Sequence, residues 1–179
     1  TLPSITKAME LGVDGVEIDV FRCASGELVV FHDVMLDQLT NATGGIETLD
    51  LDSIQKIKVL GTYSIPTLKQ VMDLIEGKIL LNIELKGTQT AVLTHELLQP
   101  YFESGVWKKE NILISSFNWK ELELFYKVNQ EVPIAILSDA DPLDAIPIAK
   151  QLNAQAINPD FKALNKKNVQ LIKKENLKI

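Results

Sequence analysis

Cysteine occurs once in these 179 residues, at position 23, so no intrachain disulfide framework can hold the fold. That usage fits a reducing compartment, and the expectation drawn from it is a cytoplasmic protein. Histidine is almost as scarce, with only His32 and His95, which leaves no clustered Cys and His for a zinc site. Basic residues do not dominate either. The 18 Lys and Arg stand against 24 Asp and Glu for a net charge of −6, which argues against a nucleic-acid backbone as partner. No apolar run approaches the ~20 residues of a membrane span. The start shows no signal-peptide pattern, and it does not open on Met. A glycine-rich first turn, the mark of a doubly wound nucleotide-binding sheet, is also missing.

What is present is an ordinary globular composition, 46% apolar and 23% charged, organised around Val13 to Asp33. In the first strand of that stretch Glu17 and Asp19 lie two apart and share one face, opposite Val16, Ile18 and Val20. A second run, Leu28 to Phe31, ends directly in His32-Asp33. Two ionised carboxylates on one inner face repel each other and lose hydration, and a bound cation is the usual compensation. A solvated strand face would give the same alternation.

The chain opens with a helix through Leu2, Ile5 and Met9 that stops at Gly12. After the two strands comes a polar stretch, residues 34–64, with a short helix from Leu51 to Ile57. Thereafter helices and strands alternate. Pro66-Thr67 starts a helix ended by Gly77, and Ile79 to Lys86 is a strand. A helix from about Gln89 to Glu103 precedes a strand over Asn111 to Phe117. Asn118 with Glu121 resembles a capping box, followed by strands at Ile134–Leu137 and Ala156–Asn158 and a last helix capped by Asn165. Six strands so interleaved predict an α/β fold of the (βα)8, TIM-barrel type, here one domain over 1–179 with six parallel strands. Glu17, Asp19, His32, Asn82, Glu84 and Lys86 fall late in their strands, where such a barrel carries its active site.

Glu84 can join Glu17 and Asp19 as a third carboxylate, and three oxygen ligands select a hard cation, Ca²⁺ or Mg²⁺. Lys86, on the same face as Glu84, adds a positive charge suited to a phosphate group. A salt bridge to Glu84 is the plainer role for Lys86, and pairing with Asp33 the plainer role for His32. As a titrating group His32 can also transfer protons.

Six segments, VDGVEIDV, GELVVFHD, LDQLTNATGG, YSIPTLKQVMDLI, LNIELK and ILISSFN, resemble in order and spacing those of glycerophosphodiester phosphodiesterases. The resemblance implies a metal-dependent TIM-barrel hydrolase that cleaves glycerophosphodiesters to glycerol 3-phosphate and an alcohol. It implies Glu17, Asp19 and Glu84 as ligands of one divalent cation, His32 as a catalytic histidine and Lys86 as a substrate-phosphate contact. It also makes residues 34–64 the family's pocket-shaping insertion. Two readings stand beside it: a sphingomyelinase D-like phospholipase, and a non-catalytic barrel that binds metal or phosphate.

The sequence departs from the family pattern at both ends. A His-Arg-Gly motif on the first barrel strand and a tryptophan-containing last strand are absent, and His95 reads as a surface or packing residue. The expectation is a chain lacking strands one and eight, open beside its first and last strands, with activity lost.

Overall fold

The short link after the first strand decides how the sheet begins. The computed structural model describes residues 1–179, and in it β1 (Gly15–Arg22) and β2 (Leu28–Val30) are joined by Cys23–Glu27 alone. The Cys23 N–H donates to the Glu27 carbonyl at 2.9 Å, and Gly26 takes φ +107°, a left-handed value glycine adopts without strain. A parallel return needs a dozen or more residues, so β2 pairs antiparallel to β1, Val20 opposite Val30 and Arg22 opposite Leu28. The expectation of six parallel strands is corrected at this point. Leu28–Val30 runs against the others.

The remaining strands are β3 (Leu80–Leu85), β4 (Ile112–Ser116), β5 (Ile134–Ser138) and β6 (Ala156–Pro159). With β1 they form five parallel lanes, and β2 completes a six-stranded sheet in the order β2-β1-β3-β4-β5-β6 that does not close. Lys178 forms a parallel bridge with Ala156. Leu177–Ile179, expected at the eighth strand, therefore starts the sixth parallel lane counted from β1. The outer edge of β2 is not bare, because the Val30 N–H donates to the Pro66 carbonyl at 2.8 Å.

Strand alternation assigns the two faces. Ile18, Val20, Leu81, Ile83, Ile114, Ile136 and Ile157 pack into one buried cluster with the helices. Each such side chain, fully buried, is worth about 1.5–3 kcal/mol. The helices are α1 (Leu2–Glu10), α2 (Leu51–Lys56), α3 (Leu68–Ile75), α4 (Ala91–Glu103), α5 (Trp119–Val128), α6 (Ile146–Gln151) and α7 (Lys166–Lys174). Their starts follow local chemistry: Thr67 with Gln70 closes a capping box on α3, and Asn165 with Asn168 does so on α7. Asn118 does not. Its side chain makes no cap hydrogen bond, and Glu121 turns to α4 instead.

Residues 34–64 are less polar in structure than in sequence. Leu36, Ile46, Ile54, Ile57 and Val59 are buried against Phe21, Cys23, Val29 and Phe31, a second cluster around the β1–β2 hairpin. This segment is thus fixed to β1, which carries Glu17 and Asp19, and to β2, which leads into His32.

Candidate functional site

Parallel pairing between β1 and β3 sets Glu17 opposite Asn82 and Asp19 opposite Glu84. Because neighbouring strands lie ~4.8 Å apart, the acids meet. Oxygens of Glu17, Asp19 and Glu84 lie within 4.8 Å of one another, with Asp19 and Glu84 buried and Glu17 more open. The solvated-face alternative fails for the two buried acids. Lys86 follows β3 on the same face, and its Nζ reaches Asp19 Oδ1 at 3.0 Å. The sequence suggested Glu84 as its ion-pair partner; the structure makes it Asp19.

The antiparallel turn of β2 brings in the imidazole. The Phe31 N–H donates to the Asp19 carbonyl at 3.2 Å, so the next residue returns to the level of the carboxylates instead of continuing above them. His32, Glu17 and Asp19 line one cleft of about 250 Å³, with Leu39 and Val59 of the 34–64 segment on its wall. His32 Nδ1 lies 2.7 Å from Asp33 Oδ1. A carboxylate only accepts, so the ring hydrogen sits on Nδ1 and Nε2 is left to exchange protons. His95 stands elsewhere, its Nδ1 facing the Gln99 and Asn129 amides and its ring edge-on to Phe125, in the packing role expected. A larger groove of about 680 Å³ lies on the helical side between α3 and α4, and it gathers none of these acids, Lys86 or His32.

Electrostatics mark the acids as strained without a partner cation. Burial, then the charges of Asp19 and Glu84, push the Glu17 carboxyl up to about 7, offset in part by Lys86 and His32. Burial and then Asp19 also raise Glu84. A hard divalent cation fits this donor set: three carboxylates, no sulfur, and a proton otherwise held at one of them.

A raised acid binds its proton more tightly folded than unfolded, so its stabilising contribution is full below pH ~4.5 and is lost as pH rises through about 7. In chelator, thermal melts at pH 5 and pH 8 are expected to differ more for wild type than for Glu17→Gln. The excess should be only about 1 kcal/mol, since Glu17 is solvent-screened. Equal differences in the two proteins would contradict the repulsion.

Two groups near the mouth were not singled out from the sequence. Ser115, opposite Glu84 in the β3–β4 register, is buried and donates its hydroxyl to Asn82 Oδ1 at 2.9 Å. The alternation in ILISSF carried that signal. Gly87 was the other: a Cβ there would meet Glu47 Oε1 at 2.8 Å and Phe21 Cα at 3.1 Å. Any larger residue at 87 would push Glu47 aside and crowd the Phe21 backbone.

Known proteins resemble this chain in sequence and in fold. The glycerophosphodiester phosphodiesterase of Caldanaerobacter subterraneus subsp. tengcongensis is 31% identical over 100% of this chain and 77% of that protein. A Bacillus subtilis protein of the same name is 25% identical over 99% of this chain and 69% of its own length. Among solved structures, an Oleispira antarctica phosphodiesterase in complex with the product sn-glycerol-3-phosphate superposes with a TM-score of 0.89. It is 25% identical and covers 99% of this chain and 75% of that one. The model of the glycerophosphoryl diester phosphodiesterase family matches residues 1–179. With that match end to end and a relative above 30% identity, the chain belongs to the glycerophosphoryl diester phosphodiesterase family.

Proposed function

We propose that the chain serves metal-dependent hydrolysis of glycerophosphodiesters to glycerol 3-phosphate and an alcohol. The observation that carries this is the convergence of three carboxylates, two of them buried, with the Lys86 ammonium on Asp19. Glu17, Asp19 and Glu84 would hold one Ca²⁺ or Mg²⁺. When bound, the cation supplies positive charge that polarises a phosphoryl oxygen and eases ionisation of a hydroxyl beside it.

The chain's own groups do the rest. Lys86 is a phosphate contact: its ammonium, held by Asp19, meets anionic oxygens that would otherwise face only carboxylates. His32, as the imidazolium with its Nδ1–H fixed on Asp33, gives its Nε2 proton to the departing alcohol oxygen and is left neutral. Residues 34–64 act as the pocket-shaping insertion, since Leu39 and Val59 wall the cleft. Removing a proton from the attacking oxygen needs a second group. His32 is the one imidazole at this mouth, and turnover by residues 1–179 alone is expected to be weak or absent.

Binding is therefore the more direct readout. With Mg²⁺ present, Lys86→Met is expected to weaken sn-glycerol 3-phosphate by about 10–100-fold, the worth of a charged hydrogen bond. Titration calorimetry giving wild-type affinity would remove Lys86 from the phosphate site. Release of sn-glycerol 3-phosphate from glycerophosphocholine that stops on chelation tests the reaction itself. Phosphate binding without any release, in a longer chain that carries a second proton-transferring group, would favour a binding barrel over an enzyme.

A further inference from the structure

Glu121 is a buried carboxylate that this chemistry does not touch. It sits in the first turn of α5 and is 5% exposed. Its two oxygens accept from the backbone N–H groups of Gln89 at 2.8 Å, Thr90 at 3.0 Å and Ala91 at 2.9 Å, and from Thr90 Oγ1 at 3.2 Å. A carboxylate on amides at a helix start is doubly favoured, by charge-assisted hydrogen bonds and by the helix dipole. An acid placed to cap its own helix instead anchors the neighbouring one.

The anchored segment leads directly back to Lys86. Thr90 Oγ1 also reaches the Gly87 carbonyl at 3.3 Å, and the Lys86 and Gly87 N–H groups donate to the Val20 carbonyl at 3.2 and 3.1 Å. Glu47, from the 34–64 segment, accepts from the Thr88 N–H at 3.2 Å. Gln89 holds a left-handed φ of +57°, and its side-chain oxygen takes a hydrogen bond from Arg22 at 3.0 Å. A non-glycine residue in that conformation costs ~1–3 kcal/mol and persists only where its surroundings hold it. Glu121 is the buried part of those surroundings.

We propose that Glu121 is a positioning residue for Lys86: by fixing Gln89–Ala91 it holds the loop that keeps the Lys86 ammonium beside Asp19 and ready for a phosphate group. The inference rests on the reading of Lys86 as a phosphate contact.

A double-mutant cycle tests it, with sn-glycerol 3-phosphate titrated calorimetrically in the presence of Mg²⁺ and Mg²⁺ titrated alone as a control. Glu121→Gln keeps the side chain's size and one acceptor oxygen. It is expected to weaken glycerol 3-phosphate by about 10-fold, as loss of an outer-shell support does, while Mg²⁺ affinity stays within two-fold. In a Lys86→Met background the same substitution should produce no further loss, because the two act through one group. A purely structural role would weaken both ligands together. Unchanged glycerol 3-phosphate affinity in Glu121→Gln, or an equal loss in both backgrounds, would overturn the inference and leave the Lys86 reading standing. Wild-type affinity in Lys86→Met would overturn both. Should Glu121→Gln not fold, Thr90→Val removes the Oγ1 link alone and is expected to weaken glycerol 3-phosphate in the wild-type but not the Lys86→Met background.

Discussion

His32→Ala is expected to lower kcat toward glycerophosphocholine by about 10²–10⁴-fold, the usual worth of a positioned acid or base, in any turning-over chain that contains residues 1–179. KM should stay within a few-fold, because the lost interaction belongs to the transition state. The fold should survive. The His32 side chain is 72% exposed and its one partner is the adjacent Asp33, and surface changes of that kind usually move stability by less than about 0.5 kcal/mol. A diester with a nitrophenol leaving group gives the sharper contrast. Nitrophenolate departs without being protonated, so a general acid matters little there, and the His32→Ala defect should shrink by at least about 10-fold. Equal defects on both substrates would move His32 from leaving-group protonation to another role.

The second large effect concerns the acids. At a Ca²⁺ or Mg²⁺ concentration of 100 times its Kd, binding to the folded state adds about 2.7 kcal/mol. For a domain of this size that is a rise of about 5–10 °C in Tm. Glu84→Gln should remove the rise, since it takes away a buried carboxylate that the β1–β3 register sets opposite Asp19. In chelator the variant should melt at or slightly above the wild-type temperature, because one of the mutually repelling carboxylates is gone. Melts in chelator, Ca²⁺ and Mg²⁺ check both halves. A variant that keeps the full metal-dependent rise would exclude Glu84 as a ligand.

Much of this site was legible in the sequence because strand alternation is a strict rule. Glu17 and Asp19 had to share one face of their strand, Glu84 and Lys86 one face of theirs, and parallel pairing then had only to bring those faces side by side. The direction of β2 was legible as well: Cys23–Glu27 was visibly too short for a crossover, and the hairpin follows from that length. A parallel Leu28–Phe31 is incompatible with that length, and as a hairpin strand it leaves Leu177–Ile179 one lane nearer to β1 than an eighth strand would lie. Other features depended on long-range packing. Nothing local says that Lys86 pairs with Asp19 and not with its own strand neighbour Glu84, because that choice is made across the β1–β3 register. Asn118 and Glu121 carry the spacing of a capping box, yet the three amides of Gln89, Thr90 and Ala91 offered Glu121 more than one exposed N–H could. Outside α2 the apolar residues of 34–64 are spaced without a helix or strand period, so their shared burial over Phe21 and Phe31 could not be read as a pattern.

If a divalent cation and a phosphate group occupy this one mouth together, their binding must be linked. sn-Glycerol 3-phosphate should bind more tightly with Mg²⁺ or Ca²⁺ present than in chelator, and by thermodynamic necessity the cation should gain the same factor from glycerol 3-phosphate. Both gains should vanish in Glu84→Gln. Affinity for glycerol 3-phosphate that is the same with and without the cation, and the same in Glu84→Gln, would contradict the assignment of this mouth as a metal-dependent phosphodiester site.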